Sequence, residues 1–275
     1  MTSLADLSPD QKAYVIQFTH LEKIWPGLSE TAIAPLFGVD VDTYRAIRAR
    51  CGERARAAAS ELLSDPTFAA RVDRMPFRPG AIVVGLGDSI TDDLQSWVEI
   101  LRHLLAMRRP QDGIKVVNAG ISGDTSAHLI SRFLGIVLLQ PDWIICLTGT
   151  NDARTHGKSP EKTEVSMEET ARNLEALRHY ARTQTCAQWI WMTPPPVIEA
   201  YAAQHWACIE GQIGLANKDL VAVVDIMRQL PDPVVDLQAL FGNPANPELL
   251  LSEGIHPSLA GHKAIVTALV EKLSS

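Results

Sequence analysis

Apolar residues from position 81 onward come in short unbroken runs, separated by longer segments in which apolar positions recur every three to four residues. A short apolar run bounded by glycine or proline is typical of a buried strand, and a spacing of three to four is typical of an amphipathic helix. The runs predict strands at residues 81–85, 114–118, 143–147, 188–192 and 221–226. The other segments predict helices at about 94–107, 126–139, 165–183, 198–217 and 258–273.

Strands that alternate with helices of this length are joined by right-handed crossovers and form a parallel sheet with helices on both faces. The pattern therefore predicts the α/β fold class, with a three-layer domain.

The chain before this domain has a different pattern. Residues 8–74 indicate helices and carry no strand signal, and Ser8 followed by Pro9 is typical of a helix start. Residues 75–80 contain two prolines and a glycine, which predicts a boundary. We expect a helical N-terminal segment at 1–75, serving as a cap, a dimerisation unit or an interaction unit, and an α/β domain at 76–275.

Part of the N-terminal segment, residues 31–45 with Gly38 in the turn, has a faint helix-turn-helix pattern. Five arginines would then be candidates for phosphate contacts: Arg45, Arg48, Arg50, Arg54 and Arg56. Residues 1–75 hold nine Lys and Arg against ten Asp and Glu, so the segment has no basic excess. A small helical unit with a solvated arginine face is the favoured interpretation, and nucleic acid is not expected as a partner.

Overall charge and apolar content narrow the class of protein further. The net charge of −7 disfavours general binding to nucleic acids or anionic membranes. The chain starts without the basic and apolar stretches of a secretory leader, and no apolar run approaches the length of a membrane span. We expect a soluble, cytoplasmic protein. The four cysteines are scattered, which fits neither a zinc site nor a disulfide framework.

Residues with catalytic potential follow the predicted strands, and the carboxyl ends of such strands are where ligands bind. Ser89 follows the first strand and two glycines, Gly123 precedes a helix start whose amides point outward, and Asn151 follows the third strand. Near the carboxyl terminus, Glu253 stands three residues before His256. Each feature alone is as typical of an ordinary turn or loop.

As a set, these motifs resemble the SGNH hydrolases, also called GDSL esterases and lipases, over about residues 80–273. The resemblance implies a flavodoxin-like sheet of five parallel strands in the order 2-1-3-4-5. It also implies that Ser89 is the nucleophile and His256 the base. The oxyanion donors would be the amides of Gly123 and Ser89 and the side chain of Asn151. The wording of residues 118–125 is most similar to the lysophospholipase and thioesterase branch.

One position departs from the family pattern, which has aspartate where this chain has Glu253. A glutamate can still orient a histidine and stabilise its charged form. Two alternatives stay open: a backbone carbonyl orients His256 and leaves a Ser-His dyad, or another acid takes the place, with Asp232 and Asp236 in the preceding loop.

The resemblance implies a serine hydrolase that cleaves small-molecule carboxylic esters through an acyl-enzyme, with no metal or cofactor. A thioesterase or a carbohydrate deacetylase would use the same site, and an acyl transferase would replace water by an alcohol. The alternatives from other classes are a non-catalytic binding protein and a ligand-sensing regulator whose N-terminal segment binds DNA. A homo-oligomer formed through the N-terminal helices is a further expectation.

Overall fold

The computed structural model describes residues 6–157 and 162–275, and its centre is a five-stranded parallel sheet in the order β2-β1-β3-β5-β7. A separate antiparallel pair joins β4 to β6. The strands are β1 Ile82–Gly87, β2 Lys115–Gly120, β3 Trp143–Leu147, β4 Thr155–His156, β5 Gln188–Met192, β6 Ile213–Gly214 and β7 Val234–Val235. Because β4 and β6 lie outside the large sheet, its five strands counted along the chain have the order 2-1-3-4-5. This order confirms the predicted fold class and sheet order.

Helices precede the sheet and cover both of its faces. Before β1 lie α1 Pro9–Phe18, α2 Leu21–Ile24, α3 Glu30–Ile33, α4 Val41–Leu63 and α5 Pro66–Asp73. From β1 to β5 lie α6 Ser89–Asp92, α7 Trp97–Arg108, α8 Ser126–Ser131, α9 Phe133–Leu138 and α10 Met167–Gln184. After β5 lie α11 Glu199–Ala202, α12 Trp206–Gly211, α13 Asn217–Arg228, α14 Leu237–Phe241 and α15 Leu259–Ser274. No helix in the described ranges combines the length and the apolar character that crossing a membrane requires.

Two hydrophobic layers bury the sheet, because successive strand residues point to opposite faces. On β1, Val83 packs with α4, α7 and α15, whereas Val84 packs with the layer that contains α8, α9, α10 and α13. The sheet is therefore covered on both sides, as parallel sheets generally are.

The N-terminal helices have a small core of their own and also join the main one. Phe37 and Tyr44 stack on each other in the small core, while Ala55 and Ala59 of α4 pack into the layer with α7. The Ser8 hydroxyl accepts the Gln11 amide as the predicted cap of α1. A boundary at residue 75 between two structural units stays a prediction.

The predicted strand at 221–226 is wrong. These residues lie in α13, where Leu220, Val223, Val224 and Met227 are buried. That spacing of three, four and seven residues is the period of a helix, which a window of only six residues could not reveal. The fifth strand is instead the two-residue β7, which pairs with β5 through Trp191 and Met192. It follows Pro233 and is too short to produce a strand pattern.

Two predicted helices are divided in the structure. The segment predicted at 126–139 is broken at Arg132, which separates α8 from α9. The segment predicted at 198–217 holds the short helices α11 and α12 and the strand β6, and α13 begins at Asn217. The left-handed backbone of Gln212, with φ of 49°, ends α12 and lets the chain turn into β6.

Candidate active site

Ser89 lies at the carboxyl edge of the sheet, as the first residue of α6. The Asp88 carboxylate accepts the Ile90 amide and so caps this short helix. The chain passes so close to β3 at Gly87 that a Cβ there would lie 2.2 Å from the Leu147 carbonyl oxygen. Only glycine fits at that position, which explains the glycine two residues before the serine. The Ser89 side chain is half-buried and still reaches solvent.

His256 approaches Ser89 from the loop before α15. The imidazole Nε2 lies 2.9 Å from the Ser89 Oγ, and Nδ1 lies 2.7 Å from Oε1 of Glu253. The same Oε1 accepts the His256 backbone amide at 3.0 Å. This loop is folded back on itself, because the Leu251 amide donates to the His256 carbonyl. The structure therefore brings Ser89, His256 and Glu253 together in one hydrogen-bonded chain.

Glu253 occupies a buried position that nevertheless favours its charged form. Its side chain is 1% exposed. Burial acts to raise its pKa, but the hydrogen bond and the charge attraction of His256 outweigh burial and lower the pKa below its ordinary value. A carboxylate held beside Nδ1 fixes the imidazole tautomer, with the proton on Nδ1 and a lone pair on Nε2 facing the serine.

The two other acids considered in the sequence lie elsewhere. Asp232 pairs with Arg178, and Asp236 pairs with Arg228 and caps α14. Their carboxylates are thus occupied by arginines, and Glu253 is the carboxylate that contacts His256.

Gly123 lies in the loop after β2, and Asn151 lies in the loop after β3. These two strands are the neighbours of β1, the strand that precedes Ser89. Gly87 of β1 pairs with Gly120 of β2 on one side and with Leu147 of β3 on the other. Gly123 has φ of +87°, a left-handed conformation that suits glycine, and Asn151 donates its Nδ2 to the Asp124 carbonyl at 3.0 Å. Among the described residues, the Gly123 amide has no acceptor, so this N–H is free to bind a developing negative charge.

Buried acids surround the start of α6. Burial raises the pKa of Asp88 to about 7, and its Oδ2 has no hydrogen-bond partner among the described residues. Burial also raises the pKa of Asp152, although the Ser126 and Thr170 hydroxyls donate to it. Asp92 is buried as well, but the bond to His20 and the charge of Lys23 outweigh burial and lower its pKa. These carboxylates hold the loops, and none of them has a hydrogen bond to the Ser89 or His256 side chain among the described residues.

Sequence reasoning missed Tyr14 and Phe18, two residues of α1 that contact His256. The Tyr14 hydroxyl lies 3.3 Å from Nδ1, and the Phe18 ring centroid lies 4.3 Å from that of the imidazole. Their spacing of four residues places both on one face of α1. The spacing indicates that this face is buried, but it does not identify the residues that the face contacts. His156, in β4, is exposed and binds Glu164.

Comparisons with known proteins identify the family of the chain. The sequence profile of the GDSL-like lipase/acylhydrolase family matches residues 86–264. An acetylxylan esterase of Geobacillus stearothermophilus is 27% identical over 219 residues, which are 72% of this chain and 96% of that protein.

Solved structures give the same result. A crystal structure of an acetylxylan esterase of Geobacillus stearothermophilus is 26% identical and has a TM-score of 0.56, covering 72% of this chain and 96% of its own. An α/β hydrolase from the metagenome of Lake Arreo, Spain, is 26% identical with a TM-score of 0.55, covering 72% and 97%. The chain belongs to the GDSL-like lipase/acylhydrolase family, and it is a carboxylic ester hydrolase.

Proposed function

We propose that the chain hydrolyses carboxylic esters through an acyl-enzyme on Ser89, with His256 as the general base and Glu253 as the acid that orients it. The observation that carries this proposal is the hydrogen-bonded chain from Glu253 Oε1 to His256 and on to Ser89 Oγ, with distances of 2.7 and 2.9 Å. A serine, a base and an orienting carboxylate in this order form the arrangement that activates a hydroxyl for attack on a carbonyl.

The reaction follows from these contacts. His256 Nε2 takes the Ser89 proton as Oγ forms a bond to the ester carbonyl carbon, and Glu253 stabilises the positive imidazolium. The imidazolium then gives its proton to the leaving alcohol as the carbon–oxygen bond breaks, which leaves the acyl group on Oγ. A water molecule, deprotonated by His256, then attacks the acyl carbon. The bond between this carbon and Oγ breaks, His256 returns the proton to Oγ, and the carboxylic acid product leaves.

Charge on the carbonyl oxygen would be bound by the loops after β1, β2 and β3. The Gly123 amide, the Ser89 amide and the Asn151 side chain are the donors we propose. The free Gly123 N–H supports this role, and so does the hydrogen bond by which Asn151 holds the turn that contains Gly123. Removal of one such donor typically lowers kcat by about 10²–10³-fold.

For the substrate, we propose an acetyl ester of a carbohydrate. The support is the acetylxylan esterase that this chain matches over 96% of that protein's length. The Phe18 ring is in keeping with a small acyl group, since it occupies space beside the His256 imidazole. Residues 118–125 resemble the lysophospholipase and thioesterase branch, so long-chain esters and thioesters are the competing substrates.

The first experiment labels the full chain with a fluorophosphonate probe. Wild type and the control Ser131→Ala, which changes an exposed serine on α8, should both label, and Ser89→Ala should not. A wild type that neither labels nor hydrolyses p-nitrophenyl acetate would reject the proposal and favour a non-catalytic binding protein.

The second experiment compares substrates on the same preparation. We expect kcat/KM to fall from p-nitrophenyl acetate to butyrate to octanoate, and we expect acetate release from acetylated xylooligosaccharides. A profile that rises with acyl length, or a preference for the matching thioester, would reject the carbohydrate deacetylase and leave the serine mechanism in place.

A further inference from the structure

The N-terminal segment, which lies outside the part of the chain matched to the family, reaches the proposed catalytic histidine. Tyr14 and Phe18 occupy one face of α1, with the Tyr14 hydroxyl 3.3 Å from His256 Nδ1 and the Phe18 ring 4.3 Å from the imidazole ring. Phe18 is buried, and the imidazole is 14% exposed. The two aromatic side chains thus border the imidazole on the side of α1.

A second set of contacts connects the same segment to the turn after β2. His20 Nδ1 lies 2.6 Å from Oδ1 of Asp92, and the Lys23 ammonium binds both Asp92 and the Gly120 carbonyl. Oδ2 of Asp92 accepts the Ser122 amide at 3.0 Å. The Ser122 hydroxyl also donates to the Phe18 carbonyl, so the residue before Gly123 is held by both the backbone of α1 and Asp92.

We propose that the N-terminal segment completes the active site: Tyr14 and Phe18 are positioning residues for His256, and Lys23 with His20 positions the oxyanion turn through Asp92. This inference rests on the proposed function of Ser89, His256 and Gly123. It adds residues that precede residue 80, where the resemblance to the family begins.

The hydrogen bonds of the imidazole define what Tyr14 can do. A neutral imidazole carries one proton, and the 2.7 Å distance assigns it to the bond between Nδ1 and Glu253. The Tyr14 oxygen is therefore a second, weaker acceptor for that proton, and it limits rotation of the ring out of line with Ser89. Burial and the nearby Glu253 raise the pKa of Tyr14, so its hydroxyl stays protonated.

Phe18 acts on the same ring by contact alone. Its ring is tilted by 34° to the imidazole and covers it. An aromatic ring in this position excludes water from the imidazole, which strengthens the bonds to Ser89 and Glu253, and its face attracts the imidazolium that forms during catalysis.

Lys23 acts on the turn after β2. Asp92 is 2% exposed, and a buried carboxylate needs charged or hydrogen-bonding partners to stay ionised. Lys23 supplies that charge and at the same time binds the Gly120 carbonyl, three residues before Gly123. Without Lys23, the Asp92 carboxylate loses its bond to the ammonium group. The Ser122–Gly123 turn, which Asp92 holds through the Ser122 amide, is then less well supported.

The test uses the full chain and variants that differ in one contact. Tyr14→Phe removes only the oxygen, Phe18→Leu keeps an apolar side chain without the ring, and Tyr44→Phe is the matched control. Tyr44 lies in the small core of the same segment, where its hydroxyl binds Arg48. For each protein, kcat and KM for p-nitrophenyl acetate, the rate of fluorophosphonate inactivation and Tm are measured.

We expect Tyr14→Phe to lower kcat and the inactivation rate by about 3- to 10-fold, the effect of one hydrogen bond. Phe18→Leu should lower both rates by about tenfold or more, because the imidazole can shift without the ring beside it, and a shift of about 1 Å in a catalytic group lowers the rate by about 10²-fold. KM should change little in either variant, and Tyr44→Phe should leave kcat unchanged. If Tyr14→Phe and Phe18→Leu keep wild-type kcat, or lose no more than Tyr44→Phe does, the positioning of His256 is refuted.

The oxyanion part of the proposal has its own pair of variants. Lys23→Met removes the charge at Asp92, and Lys12→Met removes a lysine of the same segment that binds the Gly38 carbonyl instead. We expect Lys23→Met to lower kcat by about tenfold at unchanged KM, because the Gly123 amide, a proposed oxyanion donor, would be displaced. Lys12→Met should keep wild-type kcat. Equal kcat values for the two variants would refute this part.

The wild-type protein separates the two proposals. A wild type that does not react with the fluorophosphonate refutes the serine mechanism itself. A reactive wild type whose Tyr14, Phe18 and Lys23 variants react equally fast refutes only the role of the N-terminal segment.

Discussion

Replacing Glu253 by glutamine tests whether this residue takes the place that aspartate has in the family. The substitution keeps the size of the side chain and removes its charge. In the proposed mechanism the carboxylate faces an imidazolium only when His256 holds the serine proton, so the charge acts mainly on the transition state. With Oε1 2.7 Å from Nδ1, the two charge centres lie about 4 Å apart, which at an effective dielectric constant of about 20 gives about 4 kcal/mol.

That energy corresponds to a loss of about 10³-fold in kcat. The glutamine amide can also turn its NH₂ toward Nδ1, which would favour the wrong tautomer and reduce kcat further. KM for p-nitrophenyl acetate should change little. The matched control is Glu248→Gln, an exposed glutamate in the same region of the chain, which should keep wild-type kcat.

A Glu253→Gln variant with kcat within about threefold of wild type would refute this reasoning, since the Coulomb attraction would then be far below the value above. His256 would have to be oriented by another group, as in a Ser-His dyad. Circular dichroism and Tm of both variants show whether a lost rate reflects lost structure.

The same substitution has a pH signature in stability. Because the pKa of Glu253 is lowered in the folded protein, its ionised form stabilises the fold above the pKa of the unfolded chain, and this contribution is lost as the pH falls through the folded pKa. Between about pH 5 and pH 3, the free energy of unfolding should fall more steeply in wild type than in Glu253→Gln. Urea unfolding at each pH measures the two slopes, and parallel slopes would contradict the lowered pKa.

Three further predictions follow from the same structure. Asn151→Ala should lower kcat for p-nitrophenyl acetate by about 10²–10³-fold with little change in KM; a kcat near wild type would remove Asn151 from the oxyanion site. Gly123→Ala meets no atom within 4 Å but has φ of +87°, so urea unfolding should show a loss of about 1–2 kcal/mol, and an unchanged stability would contradict the left-handed turn. Asp88 has a pKa raised to about 7, so its contribution to stability is complete below the unfolded pKa and is lost as the pH rises toward 7. Asp88→Asn should therefore remove the decline in wild-type stability between about pH 4 and pH 7, and an equal decline in both proteins would refute the raised pKa.

The sequence predicted four of the five strands of the large sheet because their apolar runs are long enough to be recognised. The runs at 143–147 and 188–192 coincide with β3 and β5. β7 could not be found in this way, since two residues carry no periodicity and its place in the sheet depends on pairing with β5. The apolar run at 221–226 was predicted as the fifth strand instead, although it lies in α13 and the buried positions of α13 follow the helical period.

Ser89, Glu253 and His256 could be singled out as candidates from the sequence because they belong to short local motifs, and their catalytic roles stay a prediction. The structure adds the distances that connect them, which no spacing in the sequence gives. Glu253 and His256 are three residues apart, and the loop that folds back at Leu251 lets one carboxylate oxygen bind both the backbone amide and the ring of His256. The extra methylene of glutamate is accommodated in this loop, so the carboxylate still meets Nδ1.

Tyr14 could not be predicted as part of the site, because it precedes His256 by 242 positions in the chain. Its position outside the matched residues 86–264 also limits its role. The acetylxylan esterase is matched over 96% of its length by 72% of this chain, so over a quarter of this chain lies outside the match. A group outside the family match cannot be the source of the family's chemistry. It can adjust how well that chemistry is positioned, which is why we expect a loss of about 3- to 10-fold for Tyr14→Phe, against about 10³-fold for Glu253→Gln.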